Sequence, residues 1–234
     1  MKTTMDGSQN SAQEYSVPNG HPKGKLVRKA NPERSHFYSK FTPAYEAVWP
    51  LLLQKRILRS IEKLHIPARA KVLEVGIGTG ISMSAYPQHA EVVGIDLSNG
   101  MLDQARQKIE REGWKHIHVE AMNAEELTFP DQTFDFITTF HVLSVVANPL
   151  KMMSEVTRVL KPGGKVLIIN HLRSETPWLA KVIDQADPLT RHLGWRTKVG
   201  VEDVVGDLPL DIRVQRKSSP LSLFTILQAT KRQG

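Results

Sequence analysis

Three features of this 234-residue chain predict an α/β fold with a mostly parallel sheet covered by helices on both faces. Short β-branched runs alternate with longer stretches of helical periodicity, and right-handed crossovers in series build a parallel sheet. The last two runs follow closely across Ser218, Ser219 and Pro220, where a hairpin would set one antiparallel strand into the sheet. The length is that of one large domain, or of a domain with an elaboration, and is ample for a buried core.

Residues 1–22 are rich in Ser, Gln, Asn, Gly and Pro without apolar periodicity, which predicts a disordered tail. From Ala47 to Leu64 the apolar positions Trp49, Leu53, Ile57, Ile61 and Leu64 recur at helical spacing, while Gln54, Lys55, Arg56, Arg59, Glu62 and Lys63 take much of the remainder. The expectation is an amphipathic helix with a basic polar side, ended by Pro67. Such a helix either docks onto the main domain or meets a membrane directly. Residues 23–66 thus read as a basic helical extension and 67–234 as the main domain. Within that domain the expected strands are Lys71–Val75, Glu91–Ile95, His116–Glu120, Phe134–Thr139, Lys165–Asn170, Asp211–Arg216 and Leu221–Ala229. Helical stretches are expected near Ile81–Tyr86, Ser98–Glu112, Pro149–Leu160 and Pro177–Leu193.

Composition narrows the chemistry. With no cysteine there is no disulfide framework, thiolate zinc site or Cys nucleophile. No His, Asp and Glu grouping has metal-ligand spacing, so no metal is expected. The absence of a long apolar run and of an apolar segment in the first 20 residues gives a cytoplasmic expectation. The formal net charge is +7, and residues 21–63 alone hold ten Lys and Arg against three Glu. A patch of this kind attracts anionic headgroups or a nucleic acid, or is simply a solvated face.

The ligand motif is Val72-Leu73-Glu74-Val75-Gly76-Ile77-Gly78-Thr79-Gly80, an apolar strand entering a glycine-rich turn at a helix start. Its spacing is neither the GxGxxG dinucleotide fingerprint nor a phosphate loop. A second strand, Glu91-Val92-Val93-Gly94-Ile95-Asp96, ends in an acid that can accept hydrogen bonds from both hydroxyls of a ribose. The other reading of Asp96 is a helix cap, for which Ser98 is better placed.

These residues resemble the class I S-adenosylmethionine-dependent methyltransferases, whose first motif is an acid followed by GxGxG. The resemblance implies a Rossmann-like, seven-stranded catalytic domain with S-adenosyl-L-methionine as cofactor. It implies that Gly76, Gly78 and Gly80 wrap the methionine part, that Glu74 helps hold its ammonium, and that Asp96 binds the ribose. Leu97 and Met101 would pack near the adenine. The family's Asp-Ala pair is matched by Asn123-Ala124, where Asn123 offers an amide oxygen to the adenine amino group in place of a carboxylate. Phe129-Pro130-Asp131, Phe134-Asp135 and Leu160-Lys161-Pro162-Gly163-Gly164 also match.

Three finer stretches, Phe37 to Tyr45, Phe140 to Pro149 and Leu167 to Leu172, together with Val75 to Ser82, resemble the soluble bacterial phosphatidylethanolamine N-methyltransferases. The implied substrate is a phospholipid, met by peripheral attachment to an anionic membrane surface. In this group the N-terminal helix binds membrane and closes over the cofactor. Carried over, Tyr38 and Tyr45 border the reacting amine, and Arg28 or Lys29 meets the lipid phosphate. His141 and His171, expected at the carboxyl ends of strands four and five, are the further candidates for holding the amine or taking its proton, and His141 also for contacting the cofactor; the other reading of each is a structural histidine bonding a loop carbonyl, and of Tyr45 a core tyrosine. Two alternatives stay open: a quinone or other small-molecule methyltransferase, and a nucleic-acid-associated protein or RNA methyltransferase. The amphipathic helix and the lack of an aromatic-basic platform weigh against the second, so no nucleic-acid partner is expected.

Overall fold

The structure is a computed structural model and describes residues 54–171, 200–217 and 224–233. The expected tail, Tyr38, Tyr45 and the helix expected at 177–193 lie outside the described residues.

Seven strands form one sheet in the order β3-β2-β1-β4-β5-β7-β6. They are β1 (Lys71–Val75), β2 (Glu91–Asp96), β3 (Ile117–Ala121), β4 (Phe134–Phe140), β5 (Leu160–His171), β6 (Leu210–Lys217) and β7 (Phe224–Lys231). The first five pair in parallel, whereas β7 runs antiparallel to both β5 and β6. The late pair of strands therefore supplies the single reversed strand that its short separation predicts.

The described helices are α1 (residues 54–62), α2 (Asn99–Glu112), α3 (Pro149–Val159) and α4 (Glu202–Val205). α2 begins at Ser98, whose hydroxyl accepts from the Met101 N–H at 3.4 Å, and ends at Gly113 in a left-handed conformation, φ 67°. α3 begins at Asn148, whose side chain accepts from the Lys151 N–H at 3.0 Å, with Pro149 in the first turn. The sheet separates two apolar clusters. α3 and α4 cover Leu73, Val75, Ile137 and Ile168 on one face, while α1 and α2 cover Val72, Val92, Phe140 and Ile169 on the other.

Three sequence expectations change. α1 ends before Pro67: the Leu64 N–H donates to Ile61 O and the His65 N–H to Glu62 O, and His65 takes the left-handed conformation at φ 50° that closes a helix. The stretch Ile81–Tyr86 forms only a 3₁₀ turn over Met83–Ala85. Pro87 holds Tyr86 extended (φ −79°, ψ 130°), and both Ser82 and Tyr86 turn their hydroxyls to Glu74. β5 starts at Leu160, not Lys165, because Leu160 already pairs with Phe134 before the Pro162-Gly163-Gly164 turn shifts the register. Among the described residues no helix is long and apolar enough to cross a membrane.

Candidate functional site

The carboxyl ends of β1, β2 and β3 meet at Asp96. The N–H groups of Gly76 and Ile77 both donate to Ile95 O, at 2.8 and 2.9 Å, which folds the glycine turn back onto β2. The Asp96 carboxylate then takes the Gly78 N–H on Oδ2 at 3.0 Å and the Ser98 N–H on Oδ1 at 2.9 Å. Its backbone oxygen accepts from the Met122 N–H at 3.1 Å, tying in the end of β3. Ser98, not Asp96, is the cap of α2. From α2 the Lys108 ammonium donates to Thr79 O at 3.0 Å and Gly80 O at 3.3 Å, so the turn is clamped at both ends.

Two of the glycines differ in what surrounds them. At Gly76 (φ 77°) a Cβ would collide with the Val142 side chain, so this glycine makes room for the tip of β4. At Gly78 (φ 55°) the nearest atom to such a Cβ is Met101 Sδ at 3.7 Å, and the space before it is open. Close approach of a ligand to backbone is therefore possible above Gly78.

Glu74 lies beneath this turn and is 2% exposed. Ser82 Oγ lies 2.7 and 2.6 Å from its two carboxyl oxygens, and the Tyr86 hydroxyl donates to Oε2 at 2.7 Å. The Tyr86 oxygen is also 2.6 Å from Thr138 Oγ1 on β4. Burial raises the Glu74 pKa to about 7 against the opposing pull of the Ser82 and Tyr86 bonds. Burial, with the adjoining carboxylate, also pushes the Tyr86 hydroxyl well above its ordinary range.

The residues at Asp96 fit S-adenosylmethionine. A carboxylate has about four acceptor positions, and the two backbone N–H bonds leave capacity for a ribose diol. Beside it Leu97 and Met101 are 63% and 46% exposed, an apolar pair in the open at the place expected for an adenine face. Asn123 Oδ1 accepts from the Glu125 N–H at 3.0 Å, which shapes the turn after β3 and leaves its second lone pair for an amino group. Ala124 follows, half-buried.

His141 stands one residue past β4, at the same edge of the sheet as Asp96, with a left-handed backbone (φ 63°) and its N–H donating to Ile169 O at 2.8 Å. His171 is the last residue of β5, in register with Phe224 of β7. The structure thus brings the backbones of both histidines to the carboxyl edge beside the glycine turn. Sequence reasoning missed Ser82, Tyr86 and Thr138 around Glu74, Val142 over Gly76, and the Lys108 clamp. The acids of the further motifs act elsewhere: Asp135 accepts the Lys71 N–H at 2.8 Å and the Lys161 ammonium at 2.7 Å at the amino ends of the strands. An open cavity of about 520 Å³ lined by Arg69, Asp135 and Lys161 lies at that opposite end, away from the Asp96 edge.

Comparison with known proteins agrees with this fold. Residues 73–168 match the methyltransferase domain family. The chain is 39% identical over 170 residues to a phosphatidylethanolamine N-methyltransferase of Cereibacter sphaeroides, covering 72% of this chain and 84% of that protein. It is 30% identical over 152 residues to a demethylmenaquinone methyltransferase of Anoxybacillus flavithermus, covering 61% of this chain and 64% of that protein. Among solved structures, the YcgJ protein of Bacillus subtilis superposes with a TM-score of 0.66 at 20% identity, over 77% of this chain and all of that one.

Proposed function

Because the chain belongs to the class I S-adenosylmethionine-dependent methyltransferases, we propose that it transfers methyl groups to the headgroup amine of phosphatidylethanolamine or its methylated derivatives, at a membrane surface. The observation that carries this reading is the 39% identity sustained over 84% of a phosphatidylethanolamine N-methyltransferase. The basic excess of residues 21–63 supports it, since a soluble enzyme must come to an acceptor that resides in a bilayer. Lys55, Arg59 and Lys63 are exposed, whereas Ile57, Ile61 and Leu64 are buried in the core. The part of the helix described here therefore offers a surface its charges, not its apolar side.

Bound at the Asp96 edge, S-adenosylmethionine supplies an electrophilic methyl on its sulfonium. The chain supplies the rest. Asp96, with Leu97, Met101 and Asn123, would hold the nucleoside end, and the Gly76–Gly80 turn the methionine end, with the Glu74 carboxyl beneath it. The acceptor amine must lose its proton before it can attack, because an ammonium has no lone pair. His141 and His171 end neighbouring strands at this edge, and we assign them, with Tyr38 and Tyr45, to holding the amine and receiving that proton. Orientation of the two reactants and exclusion of water account for most of the acceleration expected of such a displacement.

The 30% identity to a demethylmenaquinone methyltransferase is the observation behind a second reading, a quinone acceptor. Methyl-labelled cofactor incubated with the protein and phosphatidylethanolamine vesicles, and in parallel with a polyprenyl quinol, separates the two. The expected label is in methylated phosphatidylethanolamine. Label in the quinol alone overturns the proposal.

A further inference from the structure

His141 has a left-handed backbone, uncommon for a residue with a side chain and costing roughly 1–2 kcal/mol relative to the right-handed one. Contacts among the described residues surround it. The bond from its N–H to Ile169 O fixes the backbone at β5. Val142, next in the chain, presses into the space left by the missing Cβ of Gly76. The imidazole ring meets Phe224 edge-on, with centroids 5.0 Å apart and planes at 79°. Phe224 opens β7, and over its ring, 4.8 Å from the centroid, lies the guanidinium of Arg56 from α1. Contacts thus run without a break from α1 through Arg56, Phe224, His141 and Val142 to the glycine turn.

We propose that Arg56 and Phe224 are positioning residues for methyl transfer. The cation holds the Phe224 ring, the ring holds the His141 imidazole, and the strained turn at His141 keeps Val142 against Gly76. The arrangement gives Arg56 a task apart from membrane attraction: unlike exposed Lys55 and Arg59 it is half-buried, with its charge on an aromatic face. Arginine suits this place because its planar group stacks on a ring. The inference rests on the proposed reading only for the choice of acceptor.

Arg56→Met keeps the apolar stem, and Ile57, Ile61 and Leu64 keep α1 docked. In neutral detergent micelles, where membrane charge plays no part, R56M should lower kcat for phosphatidylethanolamine roughly tenfold. KM and the calorimetric affinity for S-adenosylhomocysteine should stay within about twofold. Arg56→Lys should recover only part of the rate, since an ammonium keeps the charge at the ring face but not the planar stacking, and Phe224→Leu should reproduce the loss. The His141 ring resonances should move in R56M and in F224L, whatever the acceptor. A kcat within twofold of the parent, a loss divided equally between kcat and KM, or unmoved His141 resonances overturns the inference. Should the parent protein methylate the quinol and no lipid, the acceptor reading falls by itself, and the kcat of R56M and F224L on the quinol, at unchanged KM, decides the role of Arg56 and Phe224.

Discussion

Asp96 gathers the Gly78 and Ser98 N–H groups on its carboxylate and the Met122 N–H on its backbone oxygen, all within 3.1 Å. Asp96→Ala leaves the turn without its anchor and, on the proposed reading, the ribose without its acceptor. With charged hydrogen bonds contributing about 1.5–3 kcal/mol each, affinity for S-adenosylhomocysteine should fall about 100-fold or more by calorimetry. Asp96→Asn, which keeps one acceptor oxygen, should lose less. Unchanged affinity in both variants removes the ribose role. Glu74 permits a pH test. Its folded pKa of about 7 stands above the ordinary 4.5, so between those values the folded state binds a proton that the unfolded state has released. Stability from this group is therefore full below pH 4.5, declines as pH rises to 7, and totals about 3 kcal/mol. Denaturant unfolding of the cofactor-free protein at pH 5 and pH 8 should show this decline, and Glu74→Gln should remove it. Asp96 was legible because an acid closing a strand after a glycine turn is a local pattern. The Glu74 setting was not, since Tyr86 and Thr138 lie 52 residues apart and meet only once β1 and β4 pair.

Elements with strong periodicity and local stop signals are legible in the sequence. β1 has the expected bounds, and α2 runs from the Ser98 cap to the Gly113 terminus. Where tertiary contacts compete with pattern, pattern alone does not determine the element. The Ile81–Tyr86 stretch has helical spacing, yet two of its hydroxyls serve Glu74 and Pro87 bars continuation, so only a 3₁₀ turn remains. β5 takes in Leu160 because pairing with Phe134 outweighs the break at Pro162. For α1 the periodicity was sound, but it left two destinations open for the apolar side. Ile57, Ile61 and Leu64 choose the sheet. Ile61 is 1% exposed, so Ile61→Ala should cost about 2–5 kcal/mol in denaturant unfolding, as a cavity in a packed core does. A loss below about 0.5 kcal/mol, the range of exposed substitutions, would show that α1 does not hold this position in solution.

For the whole molecule, the docking of α1 changes how membrane attraction must be tested. Cutting the chain at Leu64 would strip Ile57, Ile61 and Leu64 from the core, so lost binding would report unfolding as readily as lost charge. Charge can be changed without touching the core. Lys55, Arg59 and Lys63 repeat at four-residue intervals and are all exposed. They belong to the segment that holds ten of the chain's 31 basic residues, whereas beyond residue 63 the two signs nearly balance. Each base near an anionic surface contributes about 1 kcal/mol, so removing three weakens attachment by about 3 kcal/mol, and reversing them adds repulsion. The triple variant K55E/R59E/K63E should therefore float with phosphatidylglycerol-containing vesicles at least about 100-fold less well than the parent, with its melting temperature little changed. For the parent, the same attachment should weaken from 50 to 300 mM salt as the Debye length contracts below about 10 Å. Equal flotation of variant and parent, or binding indifferent to salt, would transfer the attraction away from this stripe and from charge altogether.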